Sequence, residues 1–196
     1  MALPKVPTVF FKPDACLNSA TAPIVVPHVV ADDELDYEAE LAVVIAKDCK
    51  NVSVEDSMQY VLGYMISNDV SARKHQFAAA QWTYGKGFDT FAPVGPTLVS
   101  SRAIPDPSKL FLKTTLNDKL MQDGKTENLI FTVPELVSFL SQGTTLRAGN
   151  VIMTGTPHGV GTSQKPPVCI RIGDSLRVWG SNGLGTLVNP VIRAEV

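Results

Sequence analysis

Residues 33–46 read DELDYEAELAVVIA, a short acidic run that passes into an unbroken apolar one. Strand periodicity divides it into the faces Ala39/Leu41/Val43/Ile45 and Glu38/Glu40/Ala42/Val44. Both faces turn apolar after Glu40, so a strand over Ala39–Ala46 enters a core on both sides. The same period sets Glu38 and Glu40 on one face, two carboxylates close enough to repel. Two arrangements relieve that repulsion: solvation at an exposed strand start, or a bound cation. Carboxylate oxygens are hard donors that suit Mg2+, Mn2+ or Ca2+ better than Zn2+. The three histidines, His28, His75 and His158, have no paired spacing that would favour zinc. Asp69, which closes the polar-tipped stretch YMISND, is one candidate among several aspartates for a third ligand.

Outward from this strand the pattern stays rich in strands. Ser53 and Asp56 resemble a capping box, and Met58, Val61, Leu62 and Met65 then recur at helical spacing, with Gly63 weakening the end. YMISNDV reads as a short strand ending at Asp69, and SARKHQF as a helical turn. KLFLKTTLNDKLMQDGKTE reads as two strands joined at Asn117-Asp118. Thr132, Pro134 and Glu135 start a helix whose apolar residues are Leu136, Val137, Phe139 and Leu140, with Gly143 as its stop. Further short strands follow in GNVIMTG, DSLRVWG and GLGTLVNPVI. The fold class expected is mixed and mainly β, with a few short helices.

A length of 196 residues suits one domain with a substantial core. Net charge is −2 with no Lys/Arg-rich run, which argues against nucleic acid as a partner. The three cysteines, Cys16, Cys49 and Cys169, lie far apart and fit reduced thiols. The first residues lack the features of a signal or transit peptide, and no apolar stretch approaches the roughly 20 residues that span a bilayer. The expectation is a soluble, cytoplasmic protein that engages no membrane.

Five segments, LDYEAELAVVIA, GYMISNDVSAR, QWTYGKGFDTFAPVGP, FLSQGTTLRAGNVIMTGTPHGVG and GLGTLVNPV, occur in that order. Together the chain resembles the catalytic domain of the fumarylacetoacetate hydrolase family from about Pro7 to Val191, and within it the branch of domain-containing protein 2 and the oxaloacetate tautomerases. The resemblance implies a β-sandwich roll, a homodimer, and an Mg2+ or Mn2+ ion held by Glu38, Glu40 and Asp69. It implies that Lys86 stabilises negative charge beside the ion, that Arg73 and Gln76 contact the acid or keto group of a substrate, and that Thr156 binds its carboxylate. Family analogy adds a mitochondrial location. His75 and His158 read as loop or surface residues, and Trp82 and Tyr84 as core packing.

Two features depart from the family's pattern. Lys74 stands where many relatives carry an aspartate, and the upstream stretch whose His and Glu activate water does not precede VFFKP. On that reading the expected function is metal-dependent chemistry on a 2-oxo or 1,3-dicarbonyl acid, oxaloacetate-like, through an enolate. The outcome is decarboxylation or keto–enol tautomerisation. Acylpyruvate-type C–C bond hydrolysis is the alternative, and a catalytically inactive metal-binding relative is the reading from another class. The same reading expects the chain to be a single catalytic domain without the family's N-terminal lid segment.

Overall fold

The computed structural model describes residues 3–195. From the amino end run β1 (Leu17–Asn18), β2 (Ile24–Val26), β3 (Leu35–Asp36) and β4 (Ala39–Ile45). Then come β5 (Val61–Asn68), β6 (Ser71–Ala72), α1 (Arg73–Phe77), α2 (Thr83–Lys86) and β7 (Ala92–Ser100). The carboxyl half holds β8 (Phe111–Leu116), β9 (Lys119–Lys125), α3 (Val133–Ser141), β10 (Val151–Met153), β11 (Ser175–Gly180) and β12 (Gly185–Arg193). Two sheets of five strands, ordered β1-β7-β5-β4-β10 and β2-β12-β11-β8-β9, face each other, and β3 pairs with β6. This is the mainly β sandwich with short helices that the sequence predicts.

Leu41, Val43 and Ile45 of β4 meet Tyr64 and Ile66 of β5 in one core, into which Leu112, Val178 and Leu187 of the opposite sheet also pack. Every residue of β4 is buried, as its double apolar face requires. A second core gathers Ile24, Leu35, Tyr37, Val70, Ala72, Phe91, Ile170 and Leu176 under β3 and β6. At the β8–β9 hairpin, Asn117 and Asp118 take φ of 48° and 65°, the left-handed pair that a two-residue turn needs. Thr132 and Glu135 form the reciprocal capping box of α3, and the helix stops before Gly143, whose φ is +72°.

One expectation is corrected. The helical spacing from Met58 to Met65 yields a single 3-10 turn, Ser57–Tyr60, and then strand β5. Val61, Tyr64 and Ile66 are branched or aromatic, and β5 lies between β4 and β7, which take up its backbone hydrogen bonds. Gly63 does not weaken a helix end; a Cβ there would stand 2.2 Å from the Val99 carbonyl oxygen, so glycine permits close strand approach. Cys16, Cys49 and Cys169 are free thiols. No helix among the described residues is long and apolar enough to cross a membrane.

Candidate metal centre and its surroundings

Strand pairing builds the acidic site. Ala39 lies opposite Asn68 in the β4–β5 ladder, so the residue following β5, Asp69, falls beside the residue preceding β4, Glu38. Two hydrogen bonds fix this corner: Asp69 N donates to Glu38 O at 2.9 Å, and Glu38 N donates to the Asn68 side-chain oxygen at 3.0 Å. One carboxylate oxygen each from Glu38, Glu40 and Asp69 then lies within 4.8 Å of the others. All three residues are buried, with 9%, 4% and 1% of their surface exposed.

Cations surround two of the three carboxylates. Lys86 Nζ is 2.6 Å from Asp69 Oδ2 and 3.0 Å from Glu38 Oε2, and it donates to Ser71 Oγ at 2.8 Å. Lys12 Nζ contacts Asp69 Oδ1 at 2.6 Å and also reaches the Lys86 carbonyl. Arg73 Nη1 lies 2.6 Å from Glu38 Oε1. Glu40 differs: Gly155 N donates to its Oε2 at 2.7 Å, and among the described residues no Lys or Arg pairs with it.

The electrostatics follow from this division. Burial, then the charges of Asp69 and Glu38, push the proton affinity of Glu40 well above the usual carboxylate range. Glu38 shifts the same way through burial and Asp69, against the opposing pull of Lys86 and Arg73. For Lys86 burial disfavours the ammonium, but Asp69 and Glu38 outweigh it and raise its pKa, so the side chain is a cation. A buried carboxylate near two others, short of a cation of its own, is what a divalent ion would complete. The all-oxygen donor set fits a hard ion such as Mg2+ or Mn2+.

Helices α1 and α2 deliver the remaining polar groups. Gly85 lets them cross, since a Cβ there would stand 2.3 Å from Gln76 N; α2 then ends on Lys86. Arg73 heads α1, where Asp36 accepts from its Nε at 3.0 Å and its Nη2 at 2.7 Å, and Gln76 accepts from its Nη1 at 2.9 Å. Opposite, β10 pairs with β4 and leads into the loop that carries Gly155, Thr156 and His158. A cavity of ≈ 770 Å³ is lined by the acidic triad with Lys86, Arg73, Gln76 and Thr156. Phe10, Phe77, Trp82, Ile130 and Phe131 form its apolar wall. The structure thus gathers at one cavity every residue singled out for metal or substrate.

Other expectations shift. Arg73, alone in sequence a surface ion pair, is buried, and Gln76 is 2% exposed rather than solvated. Trp82 lines the cavity against the Phe10 ring, and Tyr84 is 64% exposed, so neither packs in the core. His75 Nδ1 lies 3.0 Å from Glu34, next to Tyr84 and Phe88, while exposed His158 lines the cavity. Sequence reasoning overlooked Lys12, Asp36, Ser71 and Gln122, all of which act across long separations. For Lys12 the available signal was a lone charge in the apolar run VFFKP.

The family model described as fumarylacetoacetate (FAA) hydrolase C-terminal matches residues 1–192. The chain belongs to the fumarylacetoacetate hydrolase family. Among relatives in this family, a protein of Dictyostelium discoideum called a fumarylacetoacetate hydrolase domain-containing protein 2 homolog is 45% identical over 97% of this chain. A mitochondrial oxaloacetate tautomerase of Xenopus laevis is 41% identical, also over 97%. The chain spans 65% and 59% of the lengths of these two. The crystal structure of a 5-carboxymethyl-2-hydroxymuconate delta-isomerase from Mycobacterium smegmatis superposes with a TM-score of 0.88 at 38% identity, covering 100% of this chain and 73% of that one. The fumarylacetoacetate hydrolase fold and the branch implied by the ordered motifs therefore hold for this chain.

Proposed function

We propose that this chain carries out divalent-metal-dependent keto–enol tautomerisation of a small 2-oxo acid of the oxaloacetate type, with decarboxylation through the same enolate as a related outcome. The observation that supports this best is the buried set Glu38, Glu40 and Asp69 with a protonated Lys86 touching two of them. Mg2+ or Mn2+ held there supplies Lewis-acid polarisation of a carbonyl oxygen. The names of the relatives, a tautomerase and an isomerase, agree with a proton-transfer reaction.

The chain's own residues then have definite tasks. Lys86 offers a buried ammonium that offsets charge developing on the substrate oxygen; as the proton shuttle it gives that oxygen a proton and recovers the one lost from the adjacent carbon. Thr156, on the loop whose Gly155 amide grips Glu40, presents a hydroxyl to the substrate carboxylate. Arg73 holds Glu38 and is itself held by Asp36, leaving one Nη2 N–H and the Gln76 amide for the acid or keto group. The apolar wall of Phe10, Phe77 and Trp82 excludes water from one side of the cavity. The assembly proposed is a homodimer.

Acylpyruvate hydrolysis is the second reading, favoured by the size of the cavity: ≈ 770 Å³ exceeds what a four-carbon acid needs. Hydrolysis also requires a base for water, and among the described residues no His–carboxylate pair lines the cavity. Decay of the absorbance of enol-oxaloacetate, with Mg2+ and with chelator, tests the proposal. Metal-dependent acceleration supports it. Pyruvate release from acetylpyruvate, without that acceleration, shifts the assignment to the hydrolase. Tight metal-dependent oxalate binding with no turnover of either substrate leaves an inactive relative.

A further inference from the structure

Gln122 is a completely buried polar side chain on β9, outside the acidic cluster, and all four of its hydrogen-bonding positions are used. Its Oε1 accepts from Ala39 N at 3.1 Å and from Thr114 Oγ1 at 2.8 Å. Its Nε2 donates to Thr156 Oγ1 at 2.8 Å and to the Pro157 carbonyl at 2.9 Å. The amide cannot be turned over. A backbone N–H only donates and a carbonyl only accepts, so Ala39 on one side and Pro157 on the other dictate which end is oxygen. A buried amide with every bond satisfied is also costly to disturb, because each lost partner leaves a desolvated group.

This arrangement fixes the polarity of Thr156. Its oxygen already accepts a hydrogen bond from Gln122, and among the described residues its hydroxyl donates to no protein acceptor. Thr156 lines the cavity, so the hydroxyl proton is directed toward a ligand there. Gln122 is also anchored to Ala39, the residue between Glu38 and Glu40. One side chain thereby sets the position of the anion-binding hydroxyl relative to the strand that carries two of the three metal ligands.

We infer that Gln122 is a positioning residue for carboxylate binding: it forces the Thr156 hydroxyl to act as a donor to the substrate acid and fixes its distance from the acidic triad. The inference rests on the metal-dependent 2-oxo acid reading. It assigns to a side chain remote from the reacting atoms a share of affinity that acts only through Thr156.

The test is a cycle of four proteins, wild type, Gln122→Met, Thr156→Val and the double variant, each titrated calorimetrically with Mg2+ alone and then, Mg2+-loaded, with oxalate. The expected result is oxalate binding weakened by about tenfold in Gln122→Met and in Thr156→Val, the size of one hydrogen bond to a charged group. In the double variant the effect of Gln122→Met should vanish, because the threonine hydroxyl is already gone, and Mg2+ affinity should stay within about threefold throughout. An undiminished effect of Gln122→Met on the Thr156→Val background overturns the inference, because the residue then acts structurally. Where Gln122→Met does not fold, the side-chain amide signal of Gln122 in 15N-labelled wild type decides: it should move on adding oxalate and stay still in Thr156→Val. An unmoved signal in wild type overturns the inference. Wild type that binds Mg2+ but shows no metal-dependent oxalate binding overturns the underlying 2-oxo acid reading and this inference with it, whereas wild type and Gln122→Met binding oxalate equally overturn the inference alone.

Discussion

Arg73 and Asp36 form a buried pair, with Nε at 3.0 Å and Nη2 at 2.7 Å from a single carboxylate oxygen. Asp36 also accepts from Gly161 N at 2.6 Å and from Thr162 N and Oγ1 at 3.1 Å each, so it ties the 160–162 turn to α1. Arg73 in turn contacts Glu38. The pair therefore transmits the position of one loop to one member of the acidic triad.

Asp36→Asn should expose the worth of that link. Arg73 loses one of its two carboxylate partners in a buried setting and keeps Glu38, so the change costs less than a fully broken buried pair, which is worth about 3–5 kcal/mol. Urea unfolding of the metal-free protein should show it as a lower midpoint with an unchanged slope. An unfolding curve indistinguishable from wild type would mean that the guanidinium finds water instead.

Glu40 predicts a pH dependence of stability. Its folded-state proton affinity lies above the value of 4.5 that it has in the unfolded chain. The folded state then binds the extra proton, so the contribution is full below about pH 4.5 and falls as pH rises through the folded value. With chelator present, wild type should lose thermal stability from about pH 5 to pH 8 more steeply than Glu40→Gln. Mg2+ at pH 8 should raise the midpoint of wild type and leave Glu40→Gln nearly unmoved. Equal slopes in the two proteins would contradict the uncompensated charge at Glu40.

Lys86→Met should act in two ways. The metal-free fold is weakened by about 3–5 kcal/mol, since Glu38 and Asp69 lose a shared cation. Turnover should fall by about 10²- to 10³-fold, the loss seen when a preorganised charge-stabilising group is removed. Added Mg2+ should recover stability but not turnover, which differential scanning calorimetry and the enol-oxaloacetate assay together resolve.

Lys12→Met should tighten Mg2+ binding. Its ammonium lies 2.6 Å from Asp69 Oδ1 and repels an incoming cation at the triad. Removing it should lower the dissociation constant by about tenfold, roughly 1.4 kcal/mol. The same change should weaken oxalate binding to the loaded protein. Weaker Mg2+ binding in calorimetry would instead assign Lys12 to holding Asp69 in place.

The sequence by itself determined the local elements whose signals repeat within a few residues. The double apolar face of Ala39–Ile45, the capping pair Thr132 and Glu135 and the Asn117-Asp118 turn are all legible, because each depends on contacts no more than a few positions apart. The ordered motifs added the family, and with it the triad. Tertiary structure alone decided that the strand carrying YMISN begins as early as Val61, within the stretch that reads as helical, since a short apolar run has no period of its own strong enough to overrule its neighbours in a sheet. It alone also revealed Lys12, 57 residues from Asp69, and Gln122, 83 residues from Ala39. Buried charges and amides take whichever partners strand register brings to them, and register is settled by the packing of whole sheets rather than by any window of the chain.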